Sequence, residues 1–195
     1  MTRTTADLPH AQRRASALPP DERRTAIVNA TLPLLLHNAG MVTTRQIADA
    51  AGIAEGTIFR VFADKDAVFA AVVDAALDVG PLELAIALID RDQALDDALE
   101  TAIAIMQQRV VDIWRLFSSL GPGFHNKVPR PPTDIDALVS LFEAHRGDLT
   151  VEPVVAARLL RALTLSASHP LLVGEPAAPK EIVALFLHGV LAAPC

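Results

Sequence analysis

At 195 residues, 51% apolar and 21% charged, the chain is long enough for a sizeable core in one large domain or two small ones. Its apolar runs are interrupted before they reach the ~18 residues of a membrane span, and its N-terminus has no apolar signal core, so neither a membrane protein nor an exported one is expected. A single cysteine, Cys195, excludes an internal disulfide and points to the cytoplasm.

Abundant Ala and Leu with few β-branched runs predict an all-α fold. Residues 1–18, with scattered Arg, Thr and Ala, read as a disordered arm. Pro19-Pro20-Asp21-Glu22 then opens a first helix, with acids at the positive end of its dipole. Ile27, Val28, Leu32, Leu34 and Leu35 are its core face. Pro33 inside it removes a hydrogen bond and crowds the Asn29 carbonyl, so the helix either kinks there or is short. Asn38 and Gly40 close it.

The stretch from Thr43 to Lys65 has the layout of a helix-turn-helix. Thr43 or Thr44 caps a first helix with Ile47 and Ala48 inward. Gly52 supplies the sharp turn, and Ile53 is its apolar plug. Residues 55–62 form a short second helix with Ile58 and Phe62 on one face. Counting from Thr44, the small Ala48, the turn Gly52 and the buried Ile58 fall at the fifth, ninth and fifteenth places. Such spacing lets the second helix stand proud enough to enter a major groove.

Asp64 caps a further helix with the stripe Val68, Phe69, Val72, Val73 and Ala76, and Gly80-Pro81 is expected to stop it. Residues 81–90 are apolar and ambiguous, compatible with a short helix. From about Asp92 a long helix carries Leu95, Leu99, Ile103, Met106, Val110, Ile113 and Phe117 at spacings of three and four. Gly121-Pro122-Gly123 ends it, and residues 121–133, with four prolines, read as a loop. Helices are expected at about 134–146, 153–168 and 179–191.

The motif residues together reach a family. Thr43-Thr44, Ile47-Ala48, Ala51-Gly52, Gly56-Thr57-Ile58-Phe59, Phe62 and Asp64-Lys65-Asp66 resemble the TetR family of bacterial transcriptional regulators, over roughly a quarter of the chain. The resemblance implies an N-terminal helix-turn-helix DNA-binding domain followed by a C-terminal helical ligand-binding and dimerisation domain. The expected divisions are 1–18 for the arm, 19–80 for the DNA-binding domain, with the motif at about 43–62, and 81–195 for the effector-binding and dimerisation domain. Two departures stand out. The family usually has Tyr where this chain has Phe59, and Tyr or His where it has Val61. A tyrosine at the first place commonly bonds a DNA phosphate through its hydroxyl, and this chain contains no tyrosine.

Charge is distributed to match. The net charge is −6, but residues 1–65 hold eight basic and six acidic side chains, so the acidity lies in the remainder. A basic end on an acidic body would orient the molecule on DNA. Thr44 and Lys65, at helix starts, are expected to meet phosphates; a solvated surface charge is the other reading of Lys65. Arg45 and Arg60 are candidates for base edges or the backbone. Gly56 allows close approach to the duplex and Thr57 a thymine methyl or phosphate, while Glu55 reads as a helix-start residue. Phe59 completes the expected DNA-binding set. Arg13 and Arg14 are either a minor-groove arm or a plain tail.

Met106, Trp114, Phe117, Phe142 and His145 are the candidate lining of a pocket for an apolar or amphipathic small molecule, with Phe124 and His169 as further possibilities and ordinary core packing as the competing account. His10, His37, His125 and His188 have no metal-site spacing, and neither metal nor cofactor is expected. The last two helices are apolar over much of their circumference. In the resembling family such helices pair with their copies, which makes Leu163 and Phe186 the expected dimer contacts. The chain therefore reads as a homodimeric, ligand-responsive repressor released from double-stranded operator DNA by a small molecule. Two other readings stay open: a helical interaction module that has lost DNA binding, and a small-molecule enzyme, for which no phosphate loop, nucleophile elbow or metal cluster is present.

Overall fold

The computed structural model describes residues 19–38, 41–120 and 134–189. The expected arm at 1–18 and the loop at 121–133 lie outside them, as do Gly40, Phe124 and His125. Among the described residues every regular element is helical: α1 (Pro20–Asn38), α2 (Thr44–Ala51), α3 (Glu55–Ile58), α4 (Lys65–Leu77), α5 (Gly80–Ala87), α6 (Leu95–Leu120), α7 (Asp136–Ala144), α8 (Pro153–Ser168), α9 (Pro170–Val173) and α10 (Pro179–His188), with one 3-10 turn at Arg146–Asp148. No described helix is long and apolar enough to cross a membrane.

Helix α1 runs unbroken through Pro33, so the short alternative is ruled out. The Pro33 ring is exposed, where water can serve the Asn29 carbonyl that proline cannot. Further on, Gly80 and Pro81 do not stop α4. It ends at Leu77, and Pro81 instead occupies the first turn of α5, where a missing N–H costs nothing. The long helix starts at Leu95 rather than Asp92, because the Asp90 carboxylate accepts from the Asp92 N–H at 3.0 Å and holds a turn there. Helix α7 stops at Ala144, and the chain continues through the 3-10 turn. The short α9 was not foreseen.

Among the described residues the buried apolar side chains form two clusters. The first joins Ile27, Val28 and Leu35 of α1, Ile47 and Ala48 of α2, Ile58, Phe62 and the α4 stripe. Leu116 and Phe117 from the last turns of α6 complete it. The second joins Leu82 and Ile86 of α5, Leu99, Ile103 and Met106 of α6, Leu138, Leu141 and Phe142 of α7, Leu160 of α8, and Ile182 and Val183 of α10. Helix α6 thus belongs to both.

Two polar devices fix the second cluster. Glu83 on α5 accepts from the backbone N–H groups of Asp136 and Ala137 at 2.8 and 2.6 Å. It caps α7 from a distance, because Ile135 at the cap position has no acceptor. Gln107, buried on α6, donates to Ser168 Oγ at 3.0 Å and to the Ala177 carbonyl at 2.7 Å. It ties the end of α8 and the approach to α10 onto the long helix.

Gln107→Leu keeps the volume but strands the Ala177 carbonyl. It should lower stability by about 1–3 kcal/mol, read as an earlier urea midpoint at unchanged m-value; an unmoved midpoint would mean that the clamp contributes nothing.

Candidate functional site

The helix-turn-helix is built from local chemistry. Thr43 is the N-cap of α2: its hydroxyl accepts from the Gln46 N–H at 3.2 Å, and Gln46 Oε1 accepts from the Thr43 N–H at 2.8 Å. Gly52 has φ 66° and ψ 32°, the left-handed geometry the turn requires. The Gly52 N–H reaches the Asp49 carbonyl at 3.2 Å and the Ile53 N–H the Ala48 carbonyl at 3.0 Å. These two bonds close α2 and hold Ile53 against it. Asp64 caps α4 by accepting from the Ala67 N–H at 2.7 Å.

Helix α3 is shorter than the predicted 55–62, ending at Ile58. The next residues form a tightened turn, with the Arg60 N–H on the Thr57 carbonyl and the Val61 N–H on the Ile58 carbonyl at 3.2 and 3.0 Å. The Phe62 N–H still meets the Ile58 carbonyl at 2.9 Å, so both side chains stay in the core. Arg24 of α1 lies over the Phe62 ring at 4.4 Å and closes its outer side.

The candidate DNA-binding residues all lie on this motif, and each reaches the surface to some degree. Arg45, Gly56, Phe59 and Arg60 are exposed; Thr44, Thr57 and Lys65 are half-buried. Neither Arg45 nor Arg60 is held by an ion pair among the described residues. Phe59 is a large apolar side chain, 51% exposed. A Cβ added at Gly56 would meet nothing within 4 Å, so no contact among the described residues requires glycine there. Two candidates are already engaged. The Thr44 hydroxyl donates to the Glu55 carboxylate, joining the starts of α2 and α3. Lys65 Nζ reaches the Val42 carbonyl at 3.5 Å and sits 5.3 Å from the Phe69 ring centre. The Glu55 tie has no sequence signature, because it joins residues eleven apart across the turn.

A cavity of about 450 Å³ opens between the end of α4, α6 and α8. Met106, Trp114 and Phe117 of the predicted set line it, with Leu77, Leu82, Val110, Ile113 and Leu165. Val110 and Ile113, on the α6 stripe, are only partly buried because the stripe faces this space. Phe142 and His145 do not line it. Phe142 is fully buried in the second cluster, against Phe186 at 5.9 Å between ring centres. His145 follows the end of α7, its Nδ1 3.9 Å from the Asp148 carboxylate. His169 does line the cavity, edge-on to Trp114 at 4.9 Å.

The polar wall comes from residues the sequence reading passed over: Arg109, Arg161 and Thr164. Burial lowers the Arg109 pKa; the Asp78 carboxylate opposes that shift and the Arg161 guanidinium adds to it. Arginine nonetheless stays charged. Their signal in the sequence was a cation at the i+3 place from Met106, inside an apolar stripe, and another next to Leu160. Arg109, Leu82 and Ile113 also border a second cleft of about 330 Å³, whose other walls include Leu32 and Leu36 of α1 and Ala76 of α4. No group of three metal-ligating side chains occurs among the described residues.

Leu163 and Phe186, the expected dimer contacts, are half-buried against the chain's own second cluster. The exposed apolar side chains on the same helices are Val155, Leu159 and Leu165 of α8 and Leu185 of α10.

Residues 27–72 match the family model of bacterial regulatory proteins, tetR family. No protein of curated function matches the sequence. Among solved structures, the chain is similar to a TetR/AcrR-family transcriptional regulator of Thermobifida fusca YX-ER1 (20% identity, 88% of this chain and 100% of that one, TM-score 0.59). It is also similar to a tetR-family transcriptional regulator of Streptomyces coelicolor (21% identity, 88% and 79%, TM-score 0.55). A third is the TetR-like transcriptional regulator LfrR of Mycobacterium smegmatis in complex with proflavine (19% identity, 90% and 100%, TM-score 0.51). At these identities the likeness is one of fold.

The two motif glycines should separate on substitution. Gly52→Ala forces a side chain into left-handed geometry and should destabilise the protein by about 1–2 kcal/mol. Gly56→Ala should leave the melting temperature of the free protein unchanged or higher. Equal losses at both positions would contradict this division of roles.

Proposed function

We propose that this chain, which carries the tetR-family DNA-binding segment in residues 27–72 and has the fold of tetR-family transcriptional regulators, is a ligand-responsive repressor. It binds operator DNA as a homodimer through residues 19–80 and releases it when a small molecule fills the cavity between the end of α4, α6 and α8. The observation that carries this reading is a shared wall. Phe117 of α6 is both cavity lining and part of the first apolar cluster, and Leu77 and Ile113 line the cavity while packing on that cluster. A ligand that prefers a rearranged wall therefore shifts the population toward conformers with the recognition helices misplaced. That LfrR, a protein of this fold, has been solved in complex with proflavine supports a ligand-binding role.

On DNA, Lys65 meets a phosphate with the donors left by its Val42 contact, and Thr44 does so after exchanging Glu55 for a phosphate oxygen. Arg45 and Arg60 reach bases or backbone, Gly56 admits the duplex closely, and Thr57 and Phe59 pack against it. Phe59 contributes apolar contact where the family's tyrosine contributes a hydrogen bond. Fragments selected from genomic DNA should be inverted repeats. On them Lys65→Ala should weaken specific and scrambled duplexes alike and lower the salt slope by about one. Arg45→Ala or Arg60→Ala should cost ~1–3 kcal/mol on the operator and much less on scrambled DNA. Should none of these substitutions alter binding to any DNA, the motif is an interaction module instead.

The dimer forms through α8 and α10, with Val155, Leu159 and Leu185 as its apolar contacts. Their exposure supports this assignment over Leu163 and Phe186. Sedimentation should give twice the 20.8 kDa chain mass. Leu159→Glu with Leu185→Glu should give folded monomers, and Leu163→Glu a destabilised protein. A monomeric intact chain at micromolar concentration would sink both the dimer and palindromic recognition.

A further inference from the structure

Most of the cavity wall is hydrocarbon and aromatic, which by itself would suit a neutral apolar molecule. Three features do not fit that occupant. Arg109 is half-buried in the wall, and no carboxylate lies within ion-pair distance of it among the described residues. Arg161, which is engaged within the chain and whose charge also acts on Asp134, brings a second guanidinium to the same wall. Thr164 is 1% exposed, and its hydroxyl has no hydrogen-bond partner among the described residues.

The Thr164 hydroxyl is the sharpest of these. Three other helical threonines, Thr25, Thr31 and Thr101, each donate to the carbonyl four residues back, at 3.0, 2.7 and 3.1 Å. Thr164, which lines the cavity, makes no such bond to Leu160. Unpaired buried hydroxyls are costly, and a half-buried guanidinium without an ion pair is costly too. Both costs are relieved by one occupant, an oxyanion.

We propose that the cavity takes an organic anion: a compact carboxylate-like head held by Arg109, Arg161 and the Thr164 hydroxyl, on an apolar body lying against Trp114 and Val110. The proposal rests on the reading of this cavity as the effector site and names its ligand class. Guanidinium groups supply charge-assisted bonds to carboxylate oxygens, and the hydroxyl supplies a third donor. Cationic amphiphiles are rejected by the same pair of arginines.

Trp114 is the chain's single tryptophan, so its emission reports on the cavity alone. Titration of the intact 195-residue chain with decanoate and with 1-naphthoate separates an aliphatic body from an aromatic one. Decanol and decyltrimethylammonium test the head. At least one carboxylate should shift the emission saturably, and binding of decanol or the cation should be weaker by about tenfold or more. Arg109→Gln and Thr164→Val should each weaken the carboxylate while leaving decanol unchanged; Arg109→Lys, which keeps the charge, should retain part of the affinity. Melting curves establish that each variant is folded, and Thr164→Val, nearly isosteric, serves if Arg109→Gln is not. Equal affinity for carboxylate, alcohol and cation would overturn the proposal, as would carboxylate binding indifferent to Arg109 and Thr164, or no response to either carboxylate. Carboxylate binding that leaves DNA affinity untouched would uphold the anion site and overturn the regulatory reading instead.

Discussion

Everything in this molecule depends on the last three turns of α6 being packed on two sides at once. Leu116 and Phe117 are buried in the cluster that holds α1, α2 and α4, while Trp114, Ile113 and Phe117 form the floor of the cavity. Interiors are close-packed and do not deform continuously. A change in what fills the cavity cannot be absorbed by one side alone. Leu77 reinforces the constraint from the other direction, because it is the final residue of α4 and a cavity wall residue as well. The recognition motif is anchored to α4 through the Asp64 cap and the shared core, so strain at Leu77 has a short path to α3.

Electrostatics divides along the same line. The acidic side chains concentrate beyond residue 65, while Arg45 and Arg60 stand exposed on the motif. Glu55 is a carboxylate among these cations, and its bond from Thr44 gives it a task in the free protein, holding the starts of α2 and α3 together. Within the cavity the order is reversed, with cations set in an apolar wall. Asp78, just past α4, is the carboxylate whose field partly offsets the burial of Arg109. An anion in the cavity would compete with Asp78 for that field, which gives a charged ligand a purchase on the α4–α5 junction that a neutral one lacks.

What the sequence revealed was local. Cap chemistry at Thr43 and Asp64, the left-handed turn at Gly52 and the stripe on α6 all depend on residues within a turn or two of each other, and these elements form where periodicity put them. Pro81 was misread because proline ends one helix and begins the next with equal ease, and only the position of Leu77 in the core decides between them. Leu163 and Phe186 pack half-buried on the chain's own core, and helices apolar all round give no hint in the sequence of which side does so. The cavity was legible in part. Met106, Trp114 and Phe117 share a helix face, whereas Phe142 was an aromatic residue whose destination is set by tertiary packing against Phe186. Arg161 and Thr164 lie three apart on one helix, but nothing in a linear reading brings Arg109 to them.

The coupling itself is tested most directly without any ligand. Val110 lines the cavity but lies outside the first cluster, so Val110→Trp fills the space without touching the motif's own core. With the variant shown to be folded and dimeric, its affinity for the selected operator should fall by about tenfold or more, within the range of ordinary allosteric coupling, while binding to scrambled DNA stays the same. Operator affinity equal to that of the unmodified chain would contradict the account, since the cavity could then be filled without the recognition helices responding.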